Sequence, residues 1–172
     1  MTNSHSLLVL GGARSGKSSY AQARCEALPG RLAYIATAQA FDTEMAARIA
    51  RHRAERGERW FTLEAPTNLG EAIDQAAQDA HVILIDCLTL WLSNLLLADA
   101  DMAAATGELS ERVAKASVPV IMVANEVGLS IVPDNALARR FRDEAGWLNQ
   151  KMAAVCREVV FVAAGLPLTL KS

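Results

Sequence analysis

Short apolar runs alternate along this chain with longer segments in which apolar residues recur every three or four positions. The short runs are rich in Leu, Ile and Val, as strands buried on both faces of a sheet are, and the longer segments predict the helices that connect them. This alternation predicts an α/β fold with a mostly parallel sheet and helices on both faces. Seven strands are predicted, over Leu7–Leu10, Leu32–Thr37, Trp60–Glu64, Val82–Asp86, Val118–Asn125, Val159–Ala163 and Pro167–Lys171.

Helices are predicted for the segments between these strands. Asp42, Thr67 and Asp134 are expected to cap three of them, because short polar side chains satisfy free backbone N–H groups at helix starts. The Ala-rich segment 99–107 has no clear period and is predicted to be a loop. The predicted helices are Lys17–Leu28, Asp42–Arg56, Thr67–Ala80, Leu88–Ala98, Glu108–Ser117 and Asp134–Arg157.

The last two predicted strands are joined only by residues 164–166. A parallel pair needs a crossover connection of a dozen or more residues, so this pair must be antiparallel. We therefore expect the final strand to lie at an edge of the sheet.

Composition favours one compact domain over residues 1–172. The chain is 52% hydrophobic and 21% charged, enough apolar surface for a large core. Its 17 Lys and Arg against 19 Asp and Glu give a net charge of −2, so we expect no general nucleic-acid binding. The longest apolar stretch, 88–98, is broken by polar residues, and no membrane insertion is expected.

The three cysteines stand singly, which predicts neither disulfides nor a zinc site. No export signal is visible at the N-terminus. Both observations predict a cytoplasmic protein.

The strongest chemical signal is the pattern GxxxxGK[ST], which follows the first predicted strand and precedes a predicted helix. Glycines allow backbone N–H groups to surround phosphates, and the helix N-terminus adds partial positive charge. Lys17 can reach the β- and γ-phosphates, and Ser18 can bind Mg²⁺. The predicted phosphate loop consists of Gly11, Gly12, Ala13, Arg14, Ser15, Gly16, Lys17 and Ser18.

Two carboxylates end predicted strands at the edge where open α/β sheets bind ligands. Asp86 follows Val82–Ile85 and is predicted to hold the metal, although it could also cap the next helix. Glu126 follows the strand Val118–Asn125, and it either joins the site or bonds the backbone of its own loop.

Phosphate loops occur in motors, switches and kinases, so the reaction needs further evidence. The nearest sequence to a guanine-reading NKxD motif is Asn125-Glu126-Val127-Gly128, which does not match it. The short, acidic chain also lacks the nucleic-acid surface of a motor. A transferase acting on a small molecule remains.

The predicted helix 42–56 carries Glu44, Arg48 and His52 at four-residue spacing on one face. Neighbouring positive charge favours a neutral imidazole, which could attack phosphorus. Alternatively, His52 shares an apolar stripe with Met45 and Ile49 and packs in the core. The basic residues nearby, which could hold a triphosphate, are Arg51, Arg53, Arg56 and Arg59.

Four stretches resemble the bifunctional adenosylcobinamide kinase/adenosylcobinamide-phosphate guanylyltransferase family of cobalamin biosynthesis. They are LVLGGARSGKSSYAQ, YIATAQAFDTEMAARIARHRAER, LIDCLTLWLSNLL and VANEVGLSIVPDNALARRFRDEAGWLNQ. The patterns MAARI-x-x-H-R and NEVG-x-x-IVP-x-N distinguish this family from other phosphate-loop proteins.

The resemblance implies a RecA-like P-loop fold, a homotrimer and two Mg²⁺-dependent reactions at one nucleotide site. ATP or GTP would phosphorylate a hydroxyl of cobinamide, and GMP would then be transferred from GTP to that phosphate. His52 aligns with the family's guanylylated histidine, beside Lys17 as the other catalytic residue, while Ser18 and Asp86 would bind the metal. Besides the phosphate loop, the implied nucleotide-binding residues are Thr37, Ala38, Gln39, Arg53, Ala54, Glu55, Arg56, Glu64 and Asp86.

Two other functions remain open on the sequence. The chain could be a plain small-molecule kinase of the adenylate-kinase type, with His52 structural and the arginines around it a phosphate clamp. It could also be a nucleotide-binding regulatory subunit without catalysis.

Overall fold

The computed structural model describes residues 5–39 and 56–172, together with residues 43, 46, 47 and 50 between those ranges. The predicted helix 42–56 and its cap Asp42 therefore fall almost wholly outside the described residues. The strands are β1 (Leu7–Gly11), β2 (Leu32–Ala36), β3 (Trp60–Glu64), β4 (Val82–Asp86), β5 (Val120–Asn125), β6 (Glu158–Ala163) and β7 (Leu166–Lys171). In the ranges 5–39 and 56–172 the helices are α1 (Lys17–Glu26), α2 (Leu69–Asp79), α3 (Leu88–Leu97), α4 (Met102–Lys115) and α5 (Ala136–Val155).

The seven strands form one sheet in the order β3-β2-β4-β5-β1-β6-β7. Every neighbouring pair is parallel except β6 and β7. The two-residue turn between them uses Ala164 and Gly165, with φ of 51° and 76°, the positive values that a tight hairpin requires. The α/β class, the mostly parallel sheet and the antiparallel edge strand are all confirmed.

The two faces of the sheet are covered unequally. Strand residues such as Leu8 and Ile83 pack against α2, α3, α4 and α5. Their neighbours along each strand, such as Val9 and Leu84, pack with Ala21 of α1 on the opposite face. We call this second side the α1 face. Because side chains alternate along a strand, the residues that end β1, β4 and β5 also point to the α1 face.

The prediction of a loop over 99–107 is wrong, because α4 begins at Met102. Asp101 caps it, with Oδ1 accepting from the Ala104 N–H at 3.0 Å. Two of its five buried residues, Thr106 and Ser110, are polar, and the Thr106 hydroxyl donates to the Met102 carbonyl at 2.8 Å. These residues hide the apolar period that would have revealed the helix.

Two predicted caps are also wrong by one residue each. Thr67 precedes Asn68, which occupies the cap position of α2. Asp134 precedes Asn135, whose Oδ1 accepts from the Ala138 N–H at 2.7 Å and caps α5. In each case a second capping residue follows directly, and the sequence pattern alone could not choose between the two.

No helix in the described ranges is long and apolar enough to cross a membrane.

An ion pair ties α1 to β6. Arg24 Nη1 and Nη2 donate to the two carboxylate oxygens of Glu158 at 2.8 and 2.7 Å. These hydrogen bonds hold the pKa of Glu158 below its ordinary value. A carboxylate with a lowered pKa stabilises the folded state at neutral pH and loses that contribution as the pH falls through its folded-state pKa.

We expect Glu158→Gln to lower the free energy of unfolding at pH 7 by about 1 kcal/mol, the upper end for a partly exposed pair. The difference from the unchanged protein should vanish in acid, where Glu158 is protonated. Urea unfolding of the variant and of the unchanged protein, at pH 7 and in acid, measures this difference. Glu111→Gln is the control, because its pair with Lys115 is far more exposed and should matter less. A difference that persisted in acid would contradict the ion-pair account.

Candidate active site

The loop between β1 and α1 takes its shape from the two glycines of the motif. A Cβ on Gly11 would lie 2.5 Å from Ser15 Oγ and 2.6 Å from the Val162 carbonyl oxygen, so no larger residue fits there. Gly16 has a φ of 93° at the start of α1, which favours glycine. A Cβ on Gly12, by contrast, would meet nothing within 4 Å. The sequence pattern thus marks the two positions that the backbone geometry demands.

Lys17 is the first residue of α1 and folds back over the loop. Its Nζ donates to the Gly12 carbonyl at 3.0 Å, and the side chain is half-buried. This places the ammonium group beside the open side of the loop, where a phosphate would compete for its hydrogen bonds. The geometry suits the role predicted for Lys17.

The hairpin turn between β6 and β7 supports the loop from its other side. The Gly165 N–H donates to the Ser15 carbonyl at 2.8 Å. A Cβ on Gly16 would lie 3.2 Å from Gly165 Cα, so the two backbones are nearly in contact. Sequence reasoning missed this support because no local pattern links residues so far apart in the chain.

Asp86 lies at the end of β4 on the α1 face, as predicted. Its Oδ2 accepts from the Tyr34 hydroxyl at 3.2 Å, and the Ser18 hydroxyl also donates to the carboxylate. Burial raises the pKa of Asp86, while the two hydrogen bonds and the positive charges of Lys17 and Arg56 act in the opposite direction. Donors and cations therefore converge on this carboxylate.

The alternative role of Asp86 as a helix cap is not observed. Cys87 occupies the cap position of α3, and its Sγ accepts from the Leu90 N–H at 3.4 Å. Asp86 therefore does not cap α3, and its carboxylate faces the candidate site instead.

Arg56 reaches the same cluster from the loop before β3. Its guanidinium carbon lies 3.2 Å from the centroid of the Tyr34 ring. Its Nη1 donates to Thr62 Oγ1 at 3.2 Å. The other residues predicted in this stretch lie outside the described residues: His52, Arg53, Ala54 and Glu55.

The residues predicted after β2 lie at the same edge of the sheet. Thr37 is fully buried, and its Oγ1 donates to the Cys87 carbonyl at 2.7 Å and accepts from the Cys87 N–H at 2.9 Å. This hydroxyl joins the ends of β2 and β4. Ala38 and Gln39 follow it, half-buried, and Glu64 is exposed at the end of β3.

Two buried polar atoms near Gly11 have no hydrogen-bond partner within the described ranges: Ser15 Oγ and Asn125 Oδ1. Asn125 pairs with Gly11 in the register of β5 and β1, and sequence reasoning gave its side chain no part in the site. Buried polar atoms normally find partners, so both atoms are suited to a ligand or water at the loop. The Ser15 hydroxyl can donate to a phosphate oxygen, whereas Asn125 Oδ1, which can only accept, needs a donor such as water.

The oxygen ligands needed for Mg²⁺ are also present. Ser18 and Asp86 are already within hydrogen-bonding distance of each other, and Mg²⁺ prefers hard oxygen ligands. The described residues contain no cluster of three or more His, Cys, Asp or Glu side chains that could hold a metal. A nucleotide-bound Mg²⁺ takes only one or two protein ligands, with phosphates and water completing its shell. The residues present therefore fit this metal.

Glu126 takes the second of its two predicted roles. Its Oε1 accepts from the Gly128 N–H at 2.6 Å, within its own loop. A cavity of about 650 Å³ lies away from the phosphate loop, in a groove between α2 and α4 that contains Asp74 and Arg112.

The sequence matches the family described as "Cobinamide kinase / cobinamide phosphate guanyltransferase" over residues 7–170. It is 48% identical over 167 residues to a protein of Pseudomonas aeruginosa named bifunctional adenosylcobalamin biosynthesis protein CobP, covering 95% of this chain and 96% of the relative. It is 41% identical over 183 residues to the Escherichia coli protein of that description named CobU, covering 96% and 99%.

The fold has a counterpart among solved structures. A protein of Pyrococcus horikoshii superposes with a TM-score of 0.57 at 9% sequence identity, covering 98% of this chain and 87% of the other. At that identity the likeness concerns the fold alone. The family model and the two relatives match nearly the whole sequence, and the phosphate loop has a carboxylate beside it. The chain therefore belongs to the cobinamide kinase/cobinamide phosphate guanyltransferase family.

Proposed function

We propose that this protein phosphorylates adenosylcobinamide with ATP or GTP, and then transfers GMP from GTP to adenosylcobinamide phosphate, giving adenosylcobinamide-GDP. The observation that carries the proposal is the convergence of Lys17, Ser18 and Asp86 at one phosphate loop, in a chain of this family. The names of the relatives, which call them bifunctional, support two activities in one chain.

In the kinase step the substrate hydroxyl attacks the γ-phosphorus of the nucleotide. The new P–O bond forms as the bond to the β–γ bridging oxygen breaks, the nucleoside diphosphate leaves, and the hydroxyl proton passes to solvent. Lys17 and the N–H groups of the loop stabilise the developing charge. Mg²⁺, held by Ser18 and Asp86, would supply further charge neutralisation at the phosphates.

In the guanylyl step a nitrogen of His52 attacks the α-phosphorus and pyrophosphate leaves. The phosphate of the corrinoid then attacks the phosphoramidate, so GMP passes to it and the imidazole is regenerated. The support for His52 is its place in the family pattern MAARI-x-x-H-R. Arg56, four residues further on, lies beside Tyr34 and close enough to Asp86 for its charge to act on that carboxylate.

We also propose a homotrimer in the cytoplasm. Edge strand β7 exposes Leu166, Leu168 and Leu170, an apolar surface suited to another subunit. The three cysteines are free and buried, which is compatible with a reducing compartment. Light scattering of the eluted protein should give three times the chain mass of 18.4 kDa; the mass of one chain would contradict the trimer.

The function is tested by supplying adenosylcobinamide with each nucleotide and identifying the products by mass. ATP or GTP should give the phosphate, and GTP should convert that phosphate to the GDP derivative. Phosphorylation without the second product would indicate a plain kinase. Nucleotide binding with no turnover of any cobinamide would indicate a regulatory subunit.

Asp86→Asn should lower Mg²⁺-dependent turnover by about a hundredfold while changing nucleotide binding far less, because the carboxylate acts through the metal. Rates at several Mg²⁺ concentrations and a separate binding titration measure the two effects. Glu126→Gln makes the same chemical change at the same edge of the sheet, where the carboxylate accepts from the Gly128 N–H of its own loop, and should leave the Mg²⁺ dependence unchanged. Unaltered turnover in the Asp86 variant would remove Asp86 from the metal site.

A further inference from the structure

We propose that Tyr34 is a positioning residue of the nucleotide site, holding the Asp86 carboxylate through its hydroxyl and the Arg56 guanidinium through its ring. The proposal rests on the proposed function, because that function assigns Asp86 to the metal and Arg56 to the nucleotide. Tyr34 lies in the middle of β2, which pairs with β3 on one side and β4 on the other. Its side chain belongs to the α1 face.

The hydroxyl of Tyr34 restrains the carboxylate. It donates to Asp86 Oδ2 at 3.2 Å, and the second hydroxyl on that carboxylate comes from Ser18 of α1. Two donors from different elements leave the carboxylate little rotational freedom. The carboxylate is therefore oriented before any metal binds.

The ring of Tyr34 restrains the guanidinium. Arg56 lies over the ring at 3.2 Å from its centroid, in the arrangement of a cation–π contact. Thr62, which accepts from Arg56 Nη1, is the register partner of Tyr34 on β3. The Trp60 ring meets the Tyr34 ring edge-on, with centroids 6.4 Å apart and planes at 73°. The ring is thus packed in place and provides a fixed support for the cation.

One side chain therefore sets the spacing between the carboxylate proposed for the metal and a cation proposed for the nucleotide. The Asp86 carboxylate meets the hydroxyl of Tyr34 at 3.2 Å, and the Arg56 guanidinium carbon lies 3.2 Å from the centroid of the same ring. Partners of metal ligands commonly change metal affinity or activity tenfold or more when they are lost. We infer that Tyr34 couples metal binding to nucleotide binding in this site.

Two substitutions separate the contacts. Tyr34→Phe removes the hydroxyl and keeps the ring, whereas Tyr34→Leu removes both. GTP affinity is measured by equilibrium titration, once with Mg²⁺ and once with a chelator. Tyr34→Phe should leave the chelator value unchanged and reduce the gain in affinity that Mg²⁺ gives by about tenfold. Tyr34→Leu should show the same reduced gain and should also bind GTP more weakly in chelator. Arg56→Ala should likewise bind GTP more weakly in chelator.

Tyr20→Phe is the matched control. The Tyr20 hydroxyl accepts from Arg24 Nη1 at 2.9 Å and its ring lies beside that guanidinium, so this variant makes the same change in a similar setting without touching Asp86. We expect it to match the unchanged protein in both titrations. Thermal unfolding of every variant reports the effect on stability separately. Tyr34→Met replaces the leucine variant if the latter does not fold.

An unchanged Mg²⁺ gain in Tyr34→Phe overturns the role of the hydroxyl. If Tyr34→Leu binds GTP in chelator as tightly as the unchanged protein does, the role of the ring is overturned. An equal loss of affinity with and without Mg²⁺ in Tyr34→Phe, in step with lost stability, shows packing alone and overturns the proposal. These readouts are binding constants and thermal stability, not turnover, so a protein that binds Mg²⁺-GTP but turns over no cobinamide would contradict the proposed function while leaving Tyr34 fully tested.

Discussion

Lys17→Ala is expected to abolish cobinamide phosphorylation and guanylyl transfer together, each by about a thousandfold or more, while the protein stays folded. On the proposed function one phosphate loop serves both reactions, and the Lys17 ammonium lies at that loop to stabilise charge on the phosphates. Among the described residues, Lys17 Nζ donates to the Gly12 carbonyl from a half-buried side chain, so its loss should cost little stability. Both rates and the melting temperature are measured on one preparation.

Lys115→Ala is the control for this variant, since Lys115 is exposed and pairs with Glu111, one turn earlier in α4. It should keep both activities. A folded Lys17→Ala protein with full guanylyltransferase activity would show that the two reactions use different nucleotide sites.

His52→Ala is expected to lose guanylyl transfer completely and to keep most of the kinase activity. Attack on the α-phosphorus needs an imidazole nitrogen, whereas γ-phosphoryl transfer uses the substrate hydroxyl with Lys17 and Ser18. Labelled GTP measures the first reaction and phosphorylated cobinamide the second. His81→Ala is the control, because His81 is exposed and its Nδ1 accepts from the Arg31 N–H, at the far end of β2 from the site.

A purely structural role for His52 gives a different result. If the side chain only packed beside Met45 and Ile49, its truncation would lower stability and reduce both activities in proportion to the folded fraction. Retained GMP labelling in the folded variant would assign the nucleophile to another residue.

Local patterns predicted the parts of the site that depend on neighbouring residues. Strands β3 and β4 begin and end where the sequence placed them, and Asp86 lies at the predicted edge. The motif glycines Gly11 and Gly16 are the positions where a Cβ would clash or strain the backbone. The strand, the glycine loop and the helix are each determined by residues close together in the chain, so they can be predicted from the sequence.

Contacts between distant parts of the chain could not be predicted in this way. Tyr34 appeared in the sequence as one more apolar residue of a buried strand, and only the pairing of β2 with β4 brings it to Asp86. The hairpin turn at Gly165 supports Ser15 through the pairing of β6 with β1. The start of α4 was missed for a different reason, since alanines and a buried threonine carry little hydrophobic signal.

The most direct test of two reactions in one chain follows the α-phosphate of GTP. The protein is incubated with α-labelled GTP, separated from free nucleotide and then given adenosylcobinamide phosphate. The account predicts a covalent, acid-labile label on the protein that moves to the corrinoid when this substrate is added. A protein that takes up no label, or whose label stays in place when the corrinoid phosphate is supplied, would contradict it.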